Sequence, residues 1–221
     1  MLFRNWADKE MIKFLLKSGL SINKTNNDGK TALFNYQQHP EIITLLLKKG
    51  ANPNSKDHRG NGPLYVHGNP QIIHILLNAG AGPNARNLRG DTPLFSMSAA
   101  LNKDKTKLLV QFGADINIKN SQNETSLFYS RSAEVVKTLL KNNMDIYVVN
   151  DAGDTALHHW IKNRAMYPYR YDMLQVVSNY ADIMSIKNRD GLTIVDIAKN
   201  LGDEKTLEWS KEFIGKSSRN D

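Results

Sequence analysis

Apolar residues fall along this chain in repeated blocks. The block from Glu10 to Gly19 returns from Glu41 to Gly50, from Gln71 to Gly80 and from Asp104 to Gly113, with weaker copies from Glu134 to Asn143 and from Tyr171 to Tyr180. The clearest copies put apolar side chains at the second, third, fifth, sixth and seventh positions, as in Ile42, Ile43, Leu45, Leu46 and Leu47. That spacing predicts a helix whose apolar face is too broad for a helix lying on a surface. Such a helix must be covered on most sides, and a stack of neighbouring units covers it.

The polar positions between the blocks repeat as well. Gly19, Gly50, Gly80, Gly113 and Asn143 close the blocks. These residue types tolerate the left-handed conformation that ends a helix. His39 before Pro40 and Asn69 before Pro70 mark two helix starts, since proline is pre-set for a first helical turn. A turn signature follows most caps: Asn26 with Gly29 and Thr31, Asp57 with Gly60, Asn87 with Gly90 and Thr92, Asn120 with Asn123 and Thr125, Asn150 with Gly153 and Thr155, Asn188 with Gly191 and Thr193. Asn or Asp followed by Gly is hairpin-turn chemistry, and the Thr is placed to cap the next helix.

In this order of turn, short helix, long helix and loop, the chain resembles the ankyrin repeat family, whose pattern runs D-x-x-G-x-T-P-L-H through L-L-L-x-x-G-A-D-x-N. Ala51 to Asn54 and Ala114 to Asn117 match its tail. The resemblance implies an all-α solenoid of helix–turn–helix units with β-hairpin-like loops, in one domain over 1–221. The repeats divide at about 1–26, 27–57, 58–87, 88–120, 121–150, 151–188 and 189–221, with the first and last as caps. It further implies a binding module working through hairpin tips and the inner-helix face. Self-contained caps suggest a free-standing protein, and the Asn- and Lys-rich repeats look bacterial. Lys199, Asp203, Glu204, Lys205, Glu208, Lys211 and Glu212 are expected to give the last repeat a polar outer surface.

The chain departs from the family in spacing. The turn slots at 29, 60, 90, 123, 153 and 191 are separated by 31, 30, 33, 30 and 38 residues, where 33 is the family's usual period. The short repeats lose residues from the inner helix. Tyr36, His67, Met97, Ser130 and Trp160 stand where the family has a small alanine, and bulk there is expected to refill the space left by a shorter helix. The family's His is Phe34, Tyr65, Phe95 and Phe128 in four repeats and remains as His158. Asn23, Asn54, Asn84 and Asn117 are expected to bond local backbone in their turns.

The repeat of 38 residues carries an insertion with Trp160, Tyr167, Tyr169, Arg170 and Tyr171. Pro168 cannot continue a helix, so the inner helix is expected to end near Tyr167 and a loop to follow. Insertions in repeat proteins project from one face, often the binding one, and aromatic residues with arginine are hot-spot types. Trp160, Tyr167, Tyr169 and Arg170 are therefore candidate partner contacts, against the simpler reading that they fill core.

Charge adds a second candidate surface. The chain carries 29 basic and 22 acidic residues, a net of +7, with +8 in its first 120 residues and −1 in the rest. Lys56, Arg59, Arg86, Arg89 and Lys119 fall in two tip columns of the central repeats. Such a stripe can steer and hold an acidic protein partner. It can also be plain solvated loop.

Chemistry is constrained by what is missing. With no cysteine there is no thiol nucleophile, disulfide or thiolate metal site. No nucleophile elbow, phosphate loop or zinc-protease motif occurs. His158 and His159 lie near Asp151 and Asp154, but adjacent helical residues point apart, so no metal site and no cofactor are expected. No apolar stretch approaches 18 residues, and Met1 to Glu10 has charges where an export signal needs its apolar run. The expectation is a monomeric cytoplasmic protein, not an enzyme, that binds a protein as inhibitor, immunity protein or adaptor. Nucleic acid or another polyanion on the basic half is the alternative. The stripe lacks interleaved aromatics, which counts against that alternative.

Overall fold

The apolar blocks form helices, and the Pro, Gly and Asn residues around them set where those helices begin and end. A computed structural model describes residues 10, 12–13, 17–36, 38–99 and 102–217. Among these residues there are ten α-helices: α1 Pro40–Lys48, α2 Pro63–Val66, α3 Pro70–Asn78, α4 Pro93–Ala99, α5 Lys103–Gln111, α6 Ala133–Lys141, α7 Ala156–Lys162, α8 Arg170–Val176, α9 Ile194–Asn200 and α10 Glu204–Ser217. Single 3-10 turns occupy Ala32–Phe34, Ser126–Tyr129 and Ala181–Ser185. The described residues contain no strand, so the loops are tight turns rather than paired β-hairpins. Of the block from Glu10 to Gly19, residues 11 and 14–16 lie outside the described residues.

Two compact units divide the chain. One comprises the chain up to Met97 together with Lys107–Asp115; the other comprises Ser98–Thr106 and the chain from Ile116 onward. Within the first, Ile42, Ile43 and Leu46 of α1 and Ile72, Ile73 and Leu76 of α3 are fully buried. Each such side chain contributes about 1.5–3 kcal/mol on burial. Pro40 and Pro70 begin their helices as the sequence indicates. Gly50 and Gly80 take φ +86° and +85°, and Asn143 takes 65° in the second unit, so the helix ends are left-handed where expected.

The turns are built one way throughout. In the 57–61 turn the Asp57 N–H donates to the Asn61 carbonyl, and Asp57 Oδ1 accepts the N–H groups of Arg59 and Asn61 at 2.9 Å each. Asn26, Asn87, Asn120, Asn150 and Asn188 do the same in theirs. At four of these turns the carbonyl before the turn Gly or Asn accepts an N–H from the next turn: Asp28 from His58, Arg59 from Leu88, Gln122 from Asp151 and Ala152 from Arg189.

Helix capping by Thr is limited to full inner helices. Thr155 and Thr193 form capping boxes with His158 and Asp196. Thr31 and Thr125 make no side-chain cap, because only a 3-10 turn follows them. The asparagines expected to bond their own turns instead reach the neighbouring repeat. Asn54 donates to the Gly80 carbonyl and accepts from the Gly82 N–H, both at 2.9 Å. Asn23, Asn84 and Asn117 clamp their neighbours in the same way. At the next slot the clamp changes chemistry: Tyr147 packs edge-on against Tyr180, whose ring stands in the cap slot.

Shortened inner helices leave open carbonyls that the next repeat's bulky residue covers. His67 Nε2 lies 2.6 Å from the Leu33 carbonyl within the first 3-10 turn. Trp160 Nε1 lies 3.2 Å from the Phe128 carbonyl at the second. The insertion differs from the expectation. Its helix stops at Lys162 rather than near Tyr167, and turns bonded from Met166 to Asn163 and from Tyr167 to Arg164 lead into α8. Nor is Asp203 part of a polar outer surface: it is buried and bound by Arg170, Tyr171 and Thr206.

Candidate protein-binding surface

The turn tips of the first unit bring four of the sequence-predicted basic residues together. Lys56, Arg59, Arg86 and Arg89 are all exposed. Lys56 Nζ donates to the Arg86 carbonyl at 3.0 Å, and the Arg59 carbonyl accepts the Leu88 N–H at 3.0 Å. These two bonds tie the 57–61 and 87–91 turns into one surface. Arg89 Nε stands 3.7 Å from Asp91 Oδ2, whose side chain is buried. Lys119 is exposed at the corresponding tip position of the second unit.

Beside these tips runs a groove of about 490 Å³. Asp28, Lys30, His58, Arg59, Tyr65 and Ser96 are among its lining residues. Tyr65 sits in the slot that holds buried Phe34, Phe95 and Phe128 in other repeats, but it is only half-buried. Burial pushes its phenol up, Asp91 adds to that, and Arg89 opposes it. Tyr65 thus stays a neutral hydroxyl at the edge of a basic surface. It is the aromatic that the stripe lacks when read from the tip columns alone.

Two surface residues escape a motif search. Tyr65 is marked only by standing where the repeat usually has His. Leu88 is marked only by being apolar at a tip, between Arg86 and Arg89 in the chain. Beneath the tips lie carboxylates to which the sequence assigns no structural role: Asp91, Glu124 and Asp154 are buried directly after their turn Gly or Asn. They are consumed internally. Glu124 accepts from Asn150 and from Tyr129, and Asp154 from Asn188 and, at 2.8 Å to each oxygen, from Lys162.

The insertion lies in the second unit and supplies fewer surface groups than its composition suggests. Trp160 and Tyr167 are core residues, 0% and 1% exposed, because both bond the open Phe128 carbonyl, Tyr167 through its hydroxyl at 2.8 Å. They drop out as partner contacts. Burial pushes the Tyr167 phenol up to about 12, with Arg131 opposing and Glu124 adding. Arg170 is bound to Asp203 at 3.0 Å and stacks its guanidinium 4.4 Å from the Tyr171 ring centre. Burial would raise the Asp203 carboxyl, but hydrogen bonds from Tyr171, Thr206 and Arg170 hold it below the usual range. Tyr169 alone of the four candidates is well exposed, at 57%.

His158 is engaged in the fold: Nδ1 lies 2.8 Å from Thr155 Oγ1 and Nε2 lies 3.2 Å from the Leu192 carbonyl. Burial lowers the pKa of both His158 and His159. Among the described residues no group of His, Asp or Glu is arranged to hold a metal ion. No described helix is long and apolar enough to cross a membrane.

Stacked turn–helix–helix units of this kind define a repeat protein, a class that generally binds protein partners. The chain belongs to the ankyrin repeat family: the model for three tandem ankyrin repeats matches residues 63–150, and the single-repeat model matches 28–58. It is similar to a putative ankyrin repeat protein of Acanthamoeba polyphaga mimivirus, 29% identical over 167 residues, covering 67% of this chain and 26% of that one. The chain therefore spans about a quarter of that relative's length. In structure the chain is similar to the ankyrin repeat domain of Bcl-3, described as a unique member of the IkappaB protein family. The TM-score is 0.69 and the identity 22%, over 85% of this chain and 86% of that one. Ankyrin repeat domains are typically non-catalytic modules that bind proteins.

Proposed function

We propose that this chain binds a partner protein with an acidic surface, through the basic hairpin tips of its first unit and the groove beside them. The observation that carries this is the joining of Lys56, Arg59, Arg86 and Arg89 into one surface by two inter-turn hydrogen bonds. A fixed array of cations steers an acidic partner and raises its rate of encounter. In the second unit Lys119 offers the same chemistry by itself, and Tyr169 a separate, smaller contact. Inhibitor, immunity protein and adaptor are the roles that fit a monomeric, cytoplasmic binder without catalysis.

Nucleic acid is the second reading, and Tyr65 beside Arg59 is the observation in its favour. A nucleic-acid backbone, however, carries evenly spaced charge past Asp28 and Asp57 in the same groove. A protein surface can set its carboxylates against the arginines alone.

The test is a pull-down from source-cell lysate with the wild-type chain and with the Arg59→Glu, Arg89→Glu double variant. One stoichiometric protein is expected on the wild type, lost from the variant at equal melting temperature. A protein retained equally by both removes the tips from the site. Nucleic acid retained alone, and released by salt, moves the function to the second reading.

A further inference from the structure

We propose that the tips hold an acidic polypeptide segment that also carries a large apolar side chain, and that Leu88 is the seat for that side chain. This rests on the protein-binding reading and changes the partner from a charged surface to a mixed one. Leu88 is 78% exposed, more than any other exposed large apolar residue of the described chain. A single exposed leucine is ordinary. Three features set this one apart.

The first is its slot. The equivalent tip position holds His58, Ser121, Asp151 and Arg189 in other repeats, all polar. The second is its fixed backbone. The Leu88 N–H is bonded to the Arg59 carbonyl, and a Cβ on Gly60 would come within 2.9 Å of that same nitrogen. An apolar group held in place by its backbone binds with little ordering cost. The third is its surroundings. Arg86 and Arg89 flank it along the chain, Arg59 adjoins it through the hydrogen bond, and Lys56 is tied to Arg86.

An apolar partner surface laid here would take exposed guanidinium groups out of water and bring them no carboxylate of its own, at high cost. A purely anionic surface would leave Leu88 in water and gain nothing from it. Carboxylates on either side of an aliphatic or aromatic side chain satisfy both demands. Tyr65, in the adjoining groove, adds a residue type enriched at binding hot spots.

The test uses short labelled peptides of Asp and Glu with one central Leu or Phe, against the same peptides with a central Ser. The wild-type chain is expected to prefer the apolar-centred peptides by about tenfold, the scale of one apolar side chain partly buried. Leu88→Ser should abolish the preference while leaving affinity for the Ser-centred peptide unchanged, and Leu88→Met should keep it. Thermal melting of each variant checks the fold. Equal affinity of the wild type for both peptides, or a preference that survives Leu88→Ser, overturns this proposal and leaves the acidic-partner reading standing. Binding of neither peptide overturns both. Preference for a single-stranded oligonucleotide over both peptides also overturns both.

Discussion

Trp160 donates its indole N–H to the carbonyl oxygen of Phe128, 3.2 Å away and 32 residues earlier in the chain. Tyr167 donates its hydroxyl to the same oxygen at 2.8 Å. The carbonyl is open because the inner helix of that repeat is only a 3-10 turn. Both donors are buried, and each bond is worth about 1 kcal/mol net. With two donors on one oxygen, losing either leaves the other. Trp160→Phe and Tyr167→Phe are each expected to destabilise by about 1 kcal/mol or less beyond the change in ring size. The double variant orphans the carbonyl and should cost more than the sum of the two. Urea denaturation of all four proteins measures this coupling; strict additivity would show that the shared carbonyl does not link them.

His67 predicts a pH dependence. Its Nε2 bonds the Leu33 carbonyl, so that nitrogen carries the proton, while Nδ1 is buried without a partner among the described residues. Protonation would put a second N–H where nothing accepts it. Burial accordingly pulls the pKa down, partly offset by the Leu33 bond. A base with its folded pKa lowered binds fewer protons folded than unfolded, so stability is full above the unfolded value of about 6.5 and falls as pH drops below it. His158 and His159 act in the same direction in the second unit. The melting temperature should fall between about pH 7 and pH 5.5. His67→Gln keeps a donor for Leu33 and should shrink that fall without removing it. An unchanged pH slope would show that His67 is not a source of it.

The same two residues explain what could be read from the sequence. The period of 30 or 31 residues and the bulk at His67 and Trp160 together signal a shortened inner helix refilled from the next repeat. Helix ends were legible because Gly50, Gly80 and Asn143 have a local reason for being there. The insertion was not, since a short tyrosine-rich segment has the same composition whether it projects or folds back. Only the open Phe128 carbonyl, a tertiary feature, decides that Tyr167 turns in and Tyr169 out. The clamp asparagines show the same limit: an Asn in a turn looks alike whether it bonds its own backbone or that of a neighbour. The tips were visible as a charge column, but the contacts from Lys56 to Arg86 and from Leu88 to Arg59 depend on how successive turns stack.

Asn54 tests the clamp directly. It holds the Gly80 carbonyl and the Gly82 N–H at once, both across the repeat boundary. Asn54→Ala should cost about 1–2 kcal/mol, the range for two partly solvated hydrogen bonds. The more specific readout is amide exchange. The Gly82 N–H should exchange faster in the variant, while the Ile73 N–H, bonded to Asn69 in α3, should change only as global stability changes. Unchanged protection at Gly82 would mean that the amide is held by something other than Asn54.

Gly50 and Gly60 separate two reasons for glycine that a sequence cannot tell apart. Both are left-handed, at φ +86° and +76°. A Cβ on Gly50 would meet nothing within 4 Å, whereas one on Gly60 would lie 2.9 Å from the Leu88 backbone nitrogen. Gly50→Ala therefore carries only the conformational cost, about 1–2 kcal/mol. Gly60→Ala carries that cost and must also push apart two stacked turns, straining the bond between Leu88 and Arg59. It is expected to destabilise clearly more, and to weaken partner binding in proportion to the loss of tip geometry. Chemical denaturation compares the two variants; equal costs would mean that the stacked turns give way without penalty. In that case the tips are a compliant surface, and the fixed position of Leu88 could not contribute to recognition.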